Sequence, residues 1–207
     1  MPESAEELYA RVVAAVGEDG RLPLPDMSEW TSFPWEVVDR KLVAKVLRPP
    51  VQAEEPRGGE SPDKPCLTCT NGGADSRIWE NERWFVNLMN EPGGMPLILF
   101  LQTKEHLDYP DMDDDLASEY GRLSARLCRI MSNLPNVGRV HVCRWGDGNQ
   151  HLHVWFIARP ERFGQIIGSM AVEWDEMLPP PPDAVRRADA KAIAERLATH
   201  DGRALTD

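Results

Sequence analysis

Between residues 146 and 160 the chain reads Gly-Asp-Gly-Asn-Gln-His-Leu-His-Val-Trp-Phe-Ile-Ala-Arg-Pro. A turn-forming tetrad is followed by an apolar, β-prone run that carries two imidazoles two residues apart. Strand side chains alternate with period two, so His151, His153 and Trp155 share one face while Leu152, Val154 and Phe156 fill the other. The first face is polar and turns toward a site; the second belongs in a core. The spacing alone leaves three readings open: packed core histidines, two imidazoles on one shared metal, and a catalytic strand.

At 207 residues, of which 42% are hydrophobic, the chain can bury one good core with a helical appendage but hardly two large ones. The net charge of −11 argues against a nucleic-acid or anionic-membrane surface, and no run of Lys or Arg offsets it. A polyanionic small substrate then needs a few arginines, such as Arg77, Arg144 and Arg159, to focus a positive field in a pocket. The opening Met1-Pro2-Glu3-Ser4-Ala5-Glu6-Glu7 lacks the charged and apolar regions of a secretory signal. No apolar run reaches transmembrane length, so the expectation is a cytoplasmic protein. Structural disulfides are not expected in that compartment, and Cys128 and Cys143 read as small buried hydrophobes in apolar-periodic segments.

Ser4 followed by Glu7 is a capping box, and Leu8, Val12, Val13 and Val16 form an apolar stripe, which predicts a helix over 4–16. Residues 17–36, with Trp30 and Trp35, read as loop, and 37–47 carry an apolar-basic alternation of undecided type. The Pro, Gly, Glu and Ser content of 49–65 predicts a flexible connector. Four strands follow at 84–88, 96–102, 139–144 and 151–158. Between the second and third, Leu116, Tyr120, Leu123, Leu127, Ile130 and Leu134 keep helical spacing behind Asp113, Asp114 and Asp115, which suit a helix N-terminus. The order strand, strand, helix, strand, strand predicts an α+β domain with an antiparallel sheet. Further on, 162–177 look helical, 179–182 form a stiff polyproline segment, and 184–199 read as a closing helix with His200 and Gly202 suited to its end. Three parts result: an N-terminal extension with helix and flexible connector over 1–60, the sheet domain over 61–165, and a helical tail over 166–207.

Cys66-Leu67-Thr68-Cys69 offers two thiolates at a spacing that clasps one Zn²⁺, with two ligands still to be found. His106, at the end of the second strand, and a histidine of the His-Leu-His run are the candidates. Two thiolates and two neutral imidazoles leave such a site formally neutral, which tolerates partial burial. The alternatives are a redox Cys-x-x-Cys and a pair of unliganded surface cysteines. The redox motif sits at a helix N-terminus, where the thiol pKa falls, whereas Thr70-Asn71-Gly72-Gly73 predicts a turn.

From Cys66 to Arg159, about half the chain, the layout resembles the histidine-triad (HIT) superfamily. The shared features are Cys-x-x-Cys, an aromatic-rich strand, an apolar strand ending in histidine, a helix opened by acids, and a strand of alternating histidines. The resemblance implies a HIT-like antiparallel sheet with a flanking helix. It also implies a structural zinc on Cys66, Cys69, His106 and His151, the arrangement of the related galactose-1-phosphate uridylyltransferases. The family's middle histidine, its nucleophile, maps to His153, in a register supported by the residues that follow: Trp155-Phe156-Ile157-Ala158-Arg159 has Ala where members often have Pro. The third triad position is Trp155, where the family has His or Gln. An indole N–H donates one hydrogen bond but cannot shuttle a proton, so a leaving group that needs no acid is favoured.

The implied function is a nucleotide hydrolase or nucleotidyltransferase acting on a phosphate anhydride or phosphoester through a nucleotidyl-histidine. His153, His151 and Trp155 are its catalytic candidates, and Arg159, Arg144, Asn149 and Gln150 its substrate-binding candidates. The partner is a nucleotide-type small molecule, with no nucleic acid and no membrane, and the resemblance implies a homodimer. Gly146-Asp147-Gly148-Asn149 replaces the family's phosphate-binding segment, as an amide cradle or as a simple turn, and Asp147 would oppose an anion there. Trp155 and Asp147 speak for a competing class, an inactive HIT-like nucleotide-binding or zinc-stabilised scaffold. A cupin-like metalloenzyme is disfavoured by the three substantial helices. Trp79, Trp84 and Phe85 read as core residues or as platforms for a base.

Overall fold

Ser4 caps the first helix, α1 (Ala5–Ala15), by accepting a hydrogen bond from the Glu7 amide, and the Glu7 carboxylate accepts one from the Ser4 backbone amide. Replacing such a cap by alanine costs about 1 kcal/mol. The structure, a computed structural model, describes residues 2–24, 33–71 and 74–206. Trp30 and the glycines at 72 and 73 lie outside the described residues.

The undecided alternation over 37–47 belongs to a hairpin of β1 (Trp35–Val38) and β2 (Lys41–Ala44). Asp39 and Arg40 turn it with positive φ, the two-residue geometry that matches strand twist. All eight strand residues are exposed. The cysteine pair opens α2 (Leu67–Asn71), a single helical turn in place of the turn expected from Thr70.

The main sheet contains β3 (Arg77–Glu80), β4 (Trp84–Leu88), β5 (Leu97–Thr103), β6 (Val137–Cys143), β7 (His153–Pro160) and β8 (Arg203–Ala204), in the order β6-β7-β5-β4-β3-β8. Every adjacent pair is antiparallel. The helices are α3 (Asp114–Met131), capped by the Asp113 carboxylate on the Leu116 amide, then α4 (Trp174–Met177) and α5 (Asp183–Ala198). The protein is therefore α+β, as its element order predicts. No described helix is long and apolar enough to cross a membrane.

Alternation sorts the sheet into two faces. Val86, Leu99, Leu101, Val154 and Phe156 pack beneath Leu116, Leu123 and Leu127 of α3 and Ile193, Ala194 and Leu197 of α5. Truncating one of these fully buried leucines to alanine costs roughly 2–5 kcal/mol. On the opposite face, Ile98 and Ile157 meet Leu8 and Val12 of α1 together with Ile166 and Leu178. That cover stops partway along the strands, and Asn87, Gln102 and His153 line an open cleft beside it.

Three expectations need correction. Residues 162–177 are not one helix: a short 3-10 turn, Ser169–Ala171, precedes the single turn of α4. Arg162 and Gly168 take φ of +65° and +66°, which interrupts right-handed helix. The 49–65 segment is not slack throughout, because the Gly58 amide donates to the Gly148 carbonyl and its carbonyl accepts from the Gln150 amide, both at 2.9 Å. The strand expected over 151–158 is β7 and begins at His153 rather than His151, which leaves His151 in the approach to the strand.

Candidate metal centre and cleft

The approach to β7 carries His151 beneath the sheet end, where it is 1% exposed. Its Nε2 donates to the Thr103 carbonyl at 2.7 Å, which leaves the Nδ1 lone pair facing Cys69 Sγ at 3.3 Å and Cys66 Sγ at 3.6 Å. His106 follows the end of β5 and sets its Nδ1 3.3 Å from Cys69 Sγ, with Nε2 directed at Gln150 Oε1 at 3.3 Å. One ligand atom from each of Cys66, Cys69, His106 and His151 lies within 4.8 Å of the others, so the four could hold a metal ion. In each imidazole the nitrogen away from the sulfurs has an oxygen acceptor, which fixes the tautomer that metal ligation requires.

Burial pulls the Cys66 thiol up, but hydrogen bonds led by that from the Cys69 amide outweigh it and bring its pKa below the usual value. Cys69 is pushed up to about 11 by burial and by the neighbouring Cys66 sulfur. Burial lowers the pKa of His151, keeping it neutral and available as a ligand. A soft, charge-balanced donor set of two thiolates and two imidazoles suits zinc in closed tetrahedral coordination.

Gly59 explains why the Pro/Gly segment comes so close. At φ +95°, a Cβ there would meet His106 Cε1 at 2.7 Å and Cys66 Cβ at 3.2 Å. Arg57, two residues earlier, donates to Asp108 Oδ2 at 2.8 Å and to the Gly146 carbonyl at 3.0 Å. Arg144 closes on the other Asp108 oxygen. Burial would raise the Asp108 pKa, but the Tyr109 amide and the two guanidinium groups hold it below the ordinary carboxylate value. The buried carboxylate thereby ties the 57–60, 108–111 and 144–150 segments around the four-residue cluster. The Gly58-Gly59 pair is the sequence sign of a close approach by the 49–65 segment.

His153 opens β7, half-buried, with Nδ1 2.7 Å from the backbone carbonyl of His151. Nδ1–H therefore donates to that carbonyl, and Nε2 carries the lone pair. The side chain lines a cleft of about 260 Å³ with Thr68, Asn87, Phe100, Gln102 and Asn149 among its neighbours. Asn149 also donates to Thr68 Oγ1 at 3.3 Å and toward Cys66 Sγ, joining the cleft wall to the cysteine turn.

The remaining candidates separate. Trp155 shares the His153 face but packs edge-on between Phe100 and Trp145, with ring centroids 4.5 and 5.3 Å away, and its Nε1 has no hydrogen-bond partner among the described residues. Arg159 donates to the carbonyls of Phe163 and Ile166, remote from the cleft. Arg144 is held by Asp108, and Arg77 pairs with Glu80 while lying 4.0 Å over the Phe85 ring. No lysine or arginine lines the cleft among the described residues. Gln150 serves His106 rather than the cleft. Trp79 and Trp84 are fully buried in the core. Cys128 and Cys143 are free thiols, half-buried rather than buried.

Solved structures similar to this chain are histidine triad proteins. One is a hypothetical histidine triad nucleotide-binding protein from Sulfolobus tokodaii, 17% identical, with 65% of this chain and 93% of that one covered at a TM-score of 0.48. A Zn-bound histidine triad family protein from Mycobacterium smegmatis is 19% identical, with coverages of 65% and 94% and a TM-score of 0.45. A histidine triad protein from Marinobacter aquaeolei is 18% identical, with coverages of 64% and 96% and a TM-score of 0.45. No family model matches the chain, and no curated protein matches it in sequence.

Proposed function

We propose that this protein is a divergent HIT-like nucleotide hydrolase or nucleotidyltransferase with His153 as nucleophile and a structural zinc on Cys66, Cys69, His106 and His151. The observation that carries the reading is the His153 imidazole, held through Nδ1 on the His151 carbonyl at 2.7 Å with its other nitrogen available to an open cleft. Bound zinc would supply rigidity, cross-linking the cysteine turn to the ends of β5 and the approach to β7.

In this reading the Nε2 lone pair attacks the α-phosphorus of a nucleotide, a P–N bond forms, and the P–O bond to the leaving group breaks. The leaving group departs with the bonding electrons. The Nδ1–H bond to the His151 carbonyl holds the ring while positive charge develops on it. Water or a second phosphate then attacks phosphorus and releases Nε2. Trp155 cannot pass a proton to the leaving oxygen, so substrates that release a nucleoside phosphate or pyrophosphate are favoured over those that release an amine. Asn87, Gln102 and Asn149 supply the polar contacts of the cleft wall.

A second reading, a nucleotide-binding or zinc-stabilised scaffold without turnover, is favoured by the neutral cleft lining and by the packing of Trp155 against Phe100 and Trp145. One experiment separates the two: turnover of dinucleoside polyphosphates, nucleotide sugars and nucleoside phosphoramidates by zinc-replete wild type and His153→Ala, followed by chromatography of released nucleotide. The catalytic reading expects turnover that falls by about a thousandfold or more in the variant, with zinc content and melting temperature preserved. Turnover indifferent to His153, or none across the panel, would favour the scaffold.

A further inference from the structure

We infer that the groove between the outer surfaces of α3 and α5 binds a small polyphosphate ester, at a site separate from the His153 cleft. Arg126 and Arg129 stand one helical turn apart on α3; Arg196, in the last turn of α5, and His200 just beyond it are four residues apart. With Ile130 and Asn133 they line a groove of about 480 Å³. An adjoining hollow of about 410 Å³ shares Ile130, Asn133 and Arg196 and is floored by Leu134, Ala192 and Ile193.

The charge of this groove runs against that of the chain, which carries 34 acidic and 23 basic side chains. Elsewhere most arginines are matched: Arg11, Arg57, Arg83, Arg144, Arg162, Arg186 and Arg203 all pair with carboxylates. Among the described residues, Arg126, Arg129 and Arg196 have no ion pair, and no carboxylate lines either hollow. Three arginines along one groove, with no carboxylate among its lining residues, have no compensating charge there. Their planar forks match the oxygens of phosphate in pairs, and a triply or more highly charged anion satisfies all three. The apolar hollow alongside gives the organic part of an ester a place to lie, which inorganic phosphate alone would leave empty.

The two sites do not overlap. α3 and α5 cover the sheet face formed by Leu99, Leu101 and Val154, and the groove opens on their solvent side, whereas His153 belongs to the opposite face. A ligand in the groove therefore leaves His153 uncovered.

The test is calorimetric titration of the full-length protein with inorganic tripolyphosphate and with ATP at moderate salt. The same titrations are run on Arg126→Gln, Arg129→Gln, Arg196→Gln and His153→Ala, with circular dichroism showing each variant folded. The expected result is, for each anion, a saturable site that each arginine substitution weakens about tenfold and that His153→Ala retains, with ATP held there more tightly than tripolyphosphate. Binding that is absent at millimolar anion, indifferent to the three arginines or lost with His153 overturns the site. ATP no tighter than tripolyphosphate overturns the assignment to an ester. An oligonucleotide duplex whose binding depends on the arginines when tripolyphosphate binding does not would make the groove a nucleic-acid surface instead.

Discussion

The backbone carbonyl of His151 accepts the Nδ1 proton of His153 at 2.7 Å, while the side chain of His151 lies against the sulfurs of Cys66 and Cys69. One residue thus serves the cysteine cluster with its ring and orients the neighbouring imidazole with its main chain. Whatever disturbs the cluster shifts the peptide that sets the His153 tautomer.

Zinc should therefore matter to stability first and to the cleft second. Wild type is expected to purify with one equivalent of zinc, and Cys66→Ser to lose it. Chelation should lower the melting temperature by roughly 5–10 °C, the effect of a tightly held ligand on a chain of this size. Elemental analysis with scanning calorimetry checks both; metal content indifferent to Cys66 would discard the four-residue site.

Gly59→Ala probes the same centre without touching a ligand. The new methyl would press on His106 and Cys66 from a backbone with φ of +95° that alanine disfavours. A loss of about 1–3 kcal/mol in unfolding free energy is expected, accompanied by weaker zinc retention in a competition titration with a chromophoric chelator. Unaltered zinc affinity would mean that the segment around Gly59 yields freely.

A buried acid sets the predicted pH dependence. Asp189 on α5 is 0% exposed, and neither of its oxygens has a hydrogen-bond partner among the described residues. Burial first, then the nearby Glu3 charge, raises its pKa to about 7. Because the folded value exceeds the unfolded one, the folded state binds the extra proton. The contribution to stability is complete below pH 4 and is lost as pH rises toward 7. Asp189→Asn should match wild type at pH 4 and exceed it at pH 8, by up to about 4 kcal/mol. Denaturation curves at the two pH values decide, and an equal difference at both would refute the assignment.

Long, alternating or strongly amphipathic segments were legible in the sequence. Val154 and Phe156 announce their core face, and Leu116, Leu123 and Leu127 announce α3, because burial on one side imposes a period. Elements without such a period were not: β3 has four residues and β8 two, and the β1–β2 hairpin buries neither face. Residues 162–177 carry enough apolar side chains to look helical, yet Arg162 and Gly168 turn left-handed. The resemblance to the histidine-triad layout picks out Cys66, Cys69, His106 and His151 as a group, and the structure sets them within one cluster. It could not show that Arg159 spends its guanidinium on backbone carbonyls, that Gln150 serves His106, or that Arg57 and Gly59 reach in from an apparent linker. The basic groove is likewise invisible in sequence, since its charges come from two helices and lie about seventy residues apart.

The pairing of β8 with β3 sets Trp79 opposite Ala204 and Glu80 opposite Arg203, so one edge of the sheet is completed by residues made more than a hundred positions after the strand they cover. During synthesis the outer hydrogen-bonding groups of β3 stay open until that segment has left the ribosome, and α5 must dock before β8 can reach them. Closing so long a loop for two residues of pairing is entropically expensive. The edge should therefore be the last part of the sheet to form and the first to fray, and a nascent chain held short of residue 203 exposes a strand edge that invites pairing with its neighbours.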